Sequence, residues 1–92
     1  MTDFIHTLNQ LIEDRKQQPV PGSYTNTLLQ DPPKAAQKVG EEATELIIAA
    51  LVQDDERLLD EAADLIYHAL VLFSTRNLTW QQVVERLESR HK

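Results

Sequence analysis

The sequence predicts an all-α protein, a bundle of four to five helices that we expect a second copy to complete. Three observations favour helices: apolar residues recur at helical spacing along most of the chain, strand-favouring runs are few, and only two glycines interrupt the 92 residues. A chain of this length is typical of one domain over residues 1–92, and it can bury only a small core on its own.

The first helix is predicted from about Thr2 to Lys16, with Thr2 or Asp3 as its N-cap. Its apolar residues recur at helical spacing and are Phe4, Ile5, Leu8, Leu11 and Ile12. The breaker cluster Pro19-Val20-Pro21-Gly22 follows the helix and ends it. Residues 23–31 are then predicted to be irregular.

The second helix is predicted from about Pro33 to Val52, because a proline is tolerated in the first turn, where its missing N–H has no helical partner. At about 100° per residue, one apolar arc forms along it. The members of this arc are Ala35, Ala36, Val39, Ala43, Leu46, Ile47 and Ala50. Gln53-Asp54-Asp55 makes the following turn, with Asp54 or Asp55 as the next N-cap.

The third helix, from about Glu56 to Arg76, is apolar on most of its circumference. Such a helix must be covered on nearly all sides, which one small domain can hardly do, so a homodimer is expected. Thr79 and Gln82 form a capping box that begins the last helix, on which the residues predicted to face inward are Val83, Val84 and Leu87.

Composition limits the possible functions. The formal net charge of −6 argues against a nucleic-acid-binding surface, which needs a basic face, although a bound cation would still allow a phosphate-bearing substrate. The absence of cysteine excludes disulfides and thiolate metal sites and favours the cytoplasm. The longest apolar stretch, Leu65–Phe73, is far shorter than the roughly 20 residues that span a membrane.

Two acidic groups, Glu41-Glu42-x-x-Glu45 and Glu61-x-x-Asp64, lie on the second and third predicted helices. Residues three apart share one side of a helix, with Cβ atoms about 5–6 Å apart, so each group can present two carboxylates to one point. If the helices pack antiparallel, the two pairs face each other and repel unless a cation lies between them. A hard divalent cation such as Mg²⁺, which takes oxygen ligands, would remove that penalty.

Other interpretations of these residues stay open. A Glu-x-x-Glu pair is usually a solvated helix face, and Lys or Arg can neutralise Glu61 and Asp64 without a metal. His68 lies on the same stripe and can be a core histidine with satisfied hydrogen bonds rather than a ligand. A di-iron bundle needs Glu-x-x-His on two helices, and this chain has it once, at Glu88-x-x-His91.

The acidic motif resembles that of the all-α, MazG-like nucleotide pyrophosphatases, and further runs resemble the phosphoribosyl-ATP pyrophosphatases among them. The resemblance covers nearly the whole chain in order. It is carried by Arg15, Ser23-Tyr24-Thr25-x-x-Leu28-Leu29, Gln37-Lys38-Val39-Gly40-Glu41-Glu42-Ala43-x-Glu45, Glu61-Ala62-Ala63-Asp64-Leu65-x-Tyr67-His68 and Leu87-x-x-Arg90-His91. Where that family commonly has a glycine after the Leu-Leu pair, this chain has Gln30-Asp31-Pro32-Pro33.

The resemblance implies hydrolysis of phosphoribosyl-ATP to phosphoribosyl-AMP and diphosphate, the second step of histidine biosynthesis, with attack of a Mg²⁺-bound water on the α-phosphorus. The implied metal ligands are Glu42, Glu45, Glu61 and Asp64, and Glu41 is a candidate base or outer ligand. The implied substrate contacts are Arg15, Ser23, Tyr24, Thr25, Lys38, His68 and Arg90. Each of these contacts has a structural alternative. Lys38 can form a salt bridge to a neighbouring glutamate, and Ser23 and Tyr24 can belong to a turn in which Ser23 is the cap and Tyr24 is packed.

Two rival functions remain at this point. A house-cleaning pyrophosphatase acting on dUTP, dCTP or damaged nucleotides would use the same metal site. A non-enzymatic helical dimerisation module would instead pair its acids with Lys and Arg, although nine basic residues cannot pair all fifteen acids. A phosphoribosyl-ATP pyrophosphatase would be coupled functionally to phosphoribosyl-AMP cyclohydrolase, which uses its product.

Overall fold

The computed structural model describes residues 3–92, and five α-helices account for most of that range. They are α1 (Phe4–Gln17), α2 (Tyr24–Leu29), α3 (Pro32–Val52), α4 (Asp55–Thr75) and α5 (Trp80–Arg90). The predicted all-helical class is confirmed, and the four predicted helices correspond to α1, α3, α4 and α5. No helix within residues 3–92 is long and apolar enough to cross a membrane.

Side-chain caps begin the helices at the predicted places. Asp3 caps α1, Asp54 caps α4, and Thr79 forms the expected capping box with Gln82 at the start of α5. Thr2, the alternative cap of α1, lies outside the described residues. The prolines occupy the first two positions of α3, as expected for Pro33.

The prediction that residues 23–31 are irregular is wrong, because a six-residue helix, α2, forms there. The Ser23 side chain accepts a hydrogen bond from the Asn26 backbone N–H at 3.2 Å, and Asp31 caps α3 in the same way through Lys34. Buried Asn26 also accepts from the Val20 backbone N–H at 2.9 Å and donates to the Arg15 carbonyl at 2.8 Å. The Ser23 cap and the hydrogen bonds of Asn26 stabilise this helix, which is too short for a helical period to show in its sequence.

The core of the chain lies where α1, α2 and α3 pack on the second half of α4. Its buried apolar residues are Ile12, Leu28, Ala35, Leu70 and Val71. The two long helices α3 and α4 pack along each other as a helical hairpin, closed by the short turn at Gln53–Asp54. This hairpin is the element that brings the acidic groups of both helices to one seam.

The apolar arc predicted for α3 is only partly buried within the chain. The buried residues of α3 are Ala35, Glu42 and Ala49, while Ile47 is 58% exposed. Leu87, predicted to face inward on α5, is 50% exposed. The predicted arc is thus only partly right, because Ala36 and Ala50 are exposed whereas Ala49, outside the arc, is buried, and the prediction that Leu87 faces inward is wrong. An apolar surface therefore remains near the α3–α4 turn, formed by Ile47, Ile48, Leu51, Val52 and Leu59.

A buried polar junction joins the C-terminal ends of α1 and α4. Ser74, 1% exposed, donates through Oγ to Glu13 Oε1 at 2.8 Å. The Lys16 ammonium donates to the Ser74 carbonyl and to Asn77 Oδ1, both at 2.9 Å. Asn77 adopts a left-handed φ of 62°, which asparagine tolerates well, just beyond the end of α4. A cation thus binds the Ser74 carbonyl at the C-terminal end of α4, where the helix dipole favours it.

We expect Ser74→Ala to lower the free energy of unfolding by about 1–2 kcal/mol, because it removes a buried donor and leaves Glu13 less well satisfied. Urea unfolding followed by circular dichroism measures the change. Ser89→Ala on α5, where the serine is exposed, is the matched control and should change stability by less than about 0.5 kcal/mol. Equal stability of the two variants would show that the hydrogen bond from Ser74 to Glu13 contributes nothing.

Candidate active site

Two glutamates are buried opposite each other on the α3–α4 hairpin. Glu42 of α3 and Glu61 of α4 are each 6% exposed. One oxygen of each faces a cation one turn earlier on its own helix: Lys38 Nζ lies 3.6 Å from Glu42 Oε1, and Arg57 Nη2 lies 3.4 Å from Glu61 Oε1. Within the described chain, Glu42 Oε2 and Glu61 Oε2 are buried without any hydrogen-bond partner. A buried carboxylate oxygen without a partner is costly, so the fold retains both at the expense of stability.

Glu45 completes a cluster of three carboxylates with these two residues. One oxygen from each of Glu42, Glu45 and Glu61 lies within 4.8 Å of the others. The close carboxyl–carboxyl contact with Glu45 raises the pKa of Glu61, and burial and the charge of Glu45 raise it further. The donor set consists only of oxygens, and Glu42 and Glu61 each carry one unsatisfied oxygen. Such a set suits a hard divalent cation such as Mg²⁺.

The other two acids of the motif lie beside the cluster. Asp64 is exposed one turn beyond Glu61, and its charge also raises the pKa of Glu61. Glu41 is exposed and accepts a hydrogen bond from the Gln37 amide at 3.4 Å. The structure therefore brings together three of the four predicted metal ligands and leaves Asp64 at the margin.

Four polar and aromatic side chains join α2 to α4 by hydrogen bonds next to this cluster. The Tyr24 hydroxyl lies 3.0 Å from His68 Nε2, and His68 Nδ1 lies 2.7 Å from the Asp64 carbonyl. A neighbouring residue on each helix makes a second pair, a hydrogen bond between Thr25 Oγ1 and the Tyr67 hydroxyl. His68 is 7% exposed, and both of its ring nitrogens are satisfied within the protein. The pairs fix the first turn of α2 beside the carboxylates.

Lys38 is close enough to Tyr24 and to the glutamates of α3 for their charges to act on its ammonium. Burial alone would lower the pKa of Lys38, but the charges of Tyr24, Glu41 and Glu42 outweigh it and raise that pKa. Burial raises the pKa of Tyr24, an effect that the charge of Lys38 partly opposes. An ammonium and a neutral phenol therefore lie side by side at the Glu42 end of the cluster.

The arginines predicted to bind substrate lie in two different places. Arg15, at the end of α1, lines a cavity of about 190 Å³ together with Thr25 and Tyr67. Arg90 lies in a groove of about 370 Å³ between the end of α4 and α5, whose lining residues include none of the clustered acids. Within one chain, the structure places Arg15 near α2 but does not bring Arg90 to the carboxylates.

Sequence reasoning missed Arg57, which pairs with Glu61. It also lines a cavity of about 270 Å³ with Glu45 and Glu61, on the side of the cluster away from Lys38. The signal was present, because Arg57 precedes Glu61 by four residues just as Lys38 precedes Glu42. The predicted alternative role of Lys38, a salt bridge to a neighbouring glutamate, is also observed.

Comparison with known proteins assigns this helical chain to a family. The family model described as phosphoribosyl-ATP pyrophosphohydrolase matches residues 5–91. The chain belongs to this family. The family resemblance predicted from the sequence is thereby confirmed.

The relatives include proteins of two lengths. A phosphoribosyl-ATP pyrophosphatase of Caulobacter vibrioides is 44% identical over 90 residues, covering 98% of this chain and 84% of the relative. One of Clostridium acetobutylicum is 41% identical over 91 residues and 83% of its length. The histidine biosynthesis bifunctional protein HisIE of Xanthomonas campestris is 46% identical over 92 residues, which cover 99% of this chain and 45% of that protein. This chain spans less than half the length of such bifunctional relatives.

We expect Glu61→Gln to raise the melting temperature in EDTA, because it removes one charge from mutually repelling carboxylates. A raised carboxyl pKa in the folded state means that stability is lost as pH rises through that pKa. The gain should therefore be largest near pH 8 and shrink as the pH is lowered and Glu61 becomes protonated.

Thermal unfolding of both proteins across pH in EDTA measures this effect. Asp60→Asn, which alters an exposed acid one residue away, is the matched control and should leave the melting temperature nearly unchanged. A lower melting temperature for Glu61→Gln at pH 8 would contradict the repulsion inferred from the cluster.

Proposed function

We propose that this chain hydrolyses phosphoribosyl-ATP to phosphoribosyl-AMP and diphosphate, the second step of histidine biosynthesis. The observation that carries the proposal is the pair of buried, unpartnered oxygens Glu42 Oε2 and Glu61 Oε2 in a chain of this family. Each acid is ion-paired through its other oxygen, to Lys38 or Arg57, as in a purely structural module, but such pairing alone gives no reason to bury two unsatisfied oxygens. A chain that binds a cation to act on a polyphosphate has a use for them.

The cofactor we propose is Mg²⁺, held by Glu42, Glu45 and Glu61, with Asp64 as the fourth ligand. Three of these carboxylates already converge, and Asp64 is exposed and close enough for its charge to act on Glu61. The chemistry that Mg²⁺ supplies when bound is neutralisation of phosphate charge and activation of a water molecule for attack on the α-phosphorus.

The chain's own residues would bind the substrate and accept a proton. Lys38, whose raised pKa keeps it cationic, would contact a phosphate oxygen at the Glu42 end of the cluster. Exposed Glu41, adjacent in sequence to Glu42, is the base that we propose accepts the proton of the attacking water. A base must lie within hydrogen-bond reach of the proton it removes, and an exposed carboxylate can take up that position.

The remaining predicted substrate contacts lie in different parts of the structure, and their proposed roles differ accordingly. Arg15 and Thr25 share a cavity, and we propose that they bind the second, ribose-linked phosphate. The Ser23 side chain caps α2, so its role is to hold the turn that carries its neighbours. Arg90, in the groove beside α5, would reach the carboxylates only from another copy of the chain.

The decisive assay is diphosphate release from phosphoribosyl-ATP with Mg²⁺, run beside dUTP, dCTP and ATP and with EDTA. We expect turnover of phosphoribosyl-ATP alone and its loss on chelation. Glu42→Gln should lower kcat/KM by at least about 100-fold because it removes a carboxylate from the cluster, while Asp60→Asn should not. Turnover of the deoxynucleotides would favour the house-cleaning function, and full activity of Glu42→Gln in saturating Mg²⁺ would refute the metal assignment.

We further propose a homodimer that buries the apolar surface near the α3–α4 turn. Its members Leu51 and Val52 are 77% and 76% exposed, and a contiguous exposed apolar surface on a small protein commonly marks an interface. The homodimer expected from the sequence would cover this surface and the incompletely buried arc of α3.

We expect Leu51→Glu to shift the protein to a monomer, because it places a charge in the proposed interface. Sedimentation velocity at micromolar concentration measures the change. Phe4→Glu is the matched control, since Phe4 is 65% exposed on α1, away from this surface, and should leave the assembly intact. A wild-type monomer, or a dimer in Leu51→Glu, would disprove the interface.

We propose that the protein acts in the cytoplasm and that its product passes to phosphoribosyl-AMP cyclohydrolase. The bifunctional histidine biosynthesis relatives support this coupling, because the chain aligns with less than half of each of them. In such a relative, a second activity would be joined to the domain that this chain matches.

A further inference from the structure

Two cations lie at opposite ends of the carboxylate cluster. Lys38 precedes Glu42 by one turn on α3, and Arg57 precedes Glu61 by one turn on α4. Because α3 and α4 run antiparallel in the hairpin, these equal spacings place the two cations on different sides. Lys38 is at the end near α2, where the charge of Tyr24 acts on it, and Arg57 is at the end near the α3–α4 turn.

The Arg57 guanidinium has donors to spare for a ligand. Its side chain is 58% exposed, and its contact with Glu61 Oε1, at 3.4 Å, is long for a hydrogen bond between charged groups. Within residues 3–92 this contact is the only hydrogen bond of the guanidinium, which carries five N–H groups. An ion pair whose cation is exposed contributes little to stability, so Arg57 can turn toward a ligand at small cost.

The cavity beside Arg57 suits a small anion that arrives with a divalent cation. Its volume is about 270 Å³, and it is also lined by Glu45, Ile48, Gln53 and Glu61. This volume holds several water molecules and leaves room for diphosphate. None of the lining residues in the described chain is aromatic. Two carboxylates repel an anion unless a cation neutralises them, so we expect binding there to require the divalent ion.

The opposite end of the cluster offers different groups. Tyr24 lies close enough to Lys38 for the two charges to interact. Beyond it, Arg15, Thr25 and Tyr67 line a second cavity of about 190 Å³. Aromatic rings and hydroxyls are groups that contact a base or a sugar. Phosphoribosyl-ATP has the same asymmetry, because one end of its triphosphate carries the nucleoside with its phosphoribosyl group and the other end is bare.

We propose that Arg57 binds the β- and γ-phosphates, which leave as diphosphate, so that the triphosphate crosses the cluster from α2 toward the α3–α4 turn. The inference rests on the proposed function and gives the substrate a direction in that site. The α-phosphate then lies at the carboxylates, with Lys38 on its nucleoside side. A planar guanidinium can donate to two phosphate oxygens at once, which suits it to the free end of the chain.

Equilibrium binding of the two products tests this direction without turnover. Isothermal titration calorimetry of the full chain measures the Kd of inorganic diphosphate and of phosphoribosyl-AMP at saturating Mg²⁺, and that of diphosphate again in EDTA. The wild type should bind diphosphate with Mg²⁺ and much more weakly in EDTA, because Glu45 and Glu61 line the cavity.

Substitutions of the two cations should affect different products. Arg57→Gln should raise the Kd of diphosphate by about tenfold or more, as expected for a lost hydrogen bond to a charged group, and that of phosphoribosyl-AMP by less than about twofold. Lys38→Gln should do the reverse. Arg57→Lys keeps the charge without the planar fork, so its diphosphate Kd should lie between those of the wild type and Arg57→Gln. Arg76→Gln, which removes an exposed positive charge at the end of α4, is the matched control and should change neither Kd.

Two results would overturn the inference. An unchanged diphosphate Kd in Arg57→Gln at saturating Mg²⁺ would mean that Arg57 only neutralises Glu61. Weaker phosphoribosyl-AMP binding in Arg57→Gln, with weaker diphosphate binding in Lys38→Gln, would mean that the substrate lies in the opposite direction. Binding of diphosphate that depends on Arg57, in a wild type that does not hydrolyse phosphoribosyl-ATP, would refute the proposed function and still support the diphosphate site.

Discussion

The site depends on the burial of two glutamates opposite each other on the α3–α4 hairpin. Glu42 and Glu61 each keep one oxygen unpartnered and direct the other toward a cation one turn earlier. The short turn capped by Asp54 sets the register that brings the two glutamates together. Because burying ionised groups opposes folding, the hairpin must be held by contacts elsewhere, and the junction of Ser74 with Glu13 is one of them.

Short α2 connects that hairpin to the surface where substrate would bind. It has little core of its own, apart from Leu28 and Asn26, and its first turn is fixed by two side-chain pairs with α4. A binding residue on a free loop would lose conformational entropy when ligand binds. Pairing Tyr24 with His68 orders it before a ligand binds.

Periodicity and capping residues sufficed to predict the four longer helices, since Asp54 and the Thr79 capping box mark their own helix starts. The convergence of Glu42, Glu45 and Glu61 followed from their spacing once the helices were taken as antiparallel. The sequence could not predict α2, because six residues are too few for a period and its stability comes from distant partners. Nor could it show that Leu87 is half exposed, because a helical wheel does not say whether a covering layer exists.

The exposed apolar surface and the unpartnered carboxylates have a common physical consequence. Within residues 3–92, five apolar residues form the buried core cluster, while Leu51 and Val52 are more than three-quarters exposed. A small domain with such a core has a narrow stability margin. A second copy and a bound cation would each stabilise the folded state by mass action, since neither binds the unfolded chain in the same way. With the proposed dimer and metal site, folding, assembly and cofactor binding are therefore linked equilibria. The acids that destabilise the free chain are the same acids that would bind the ion.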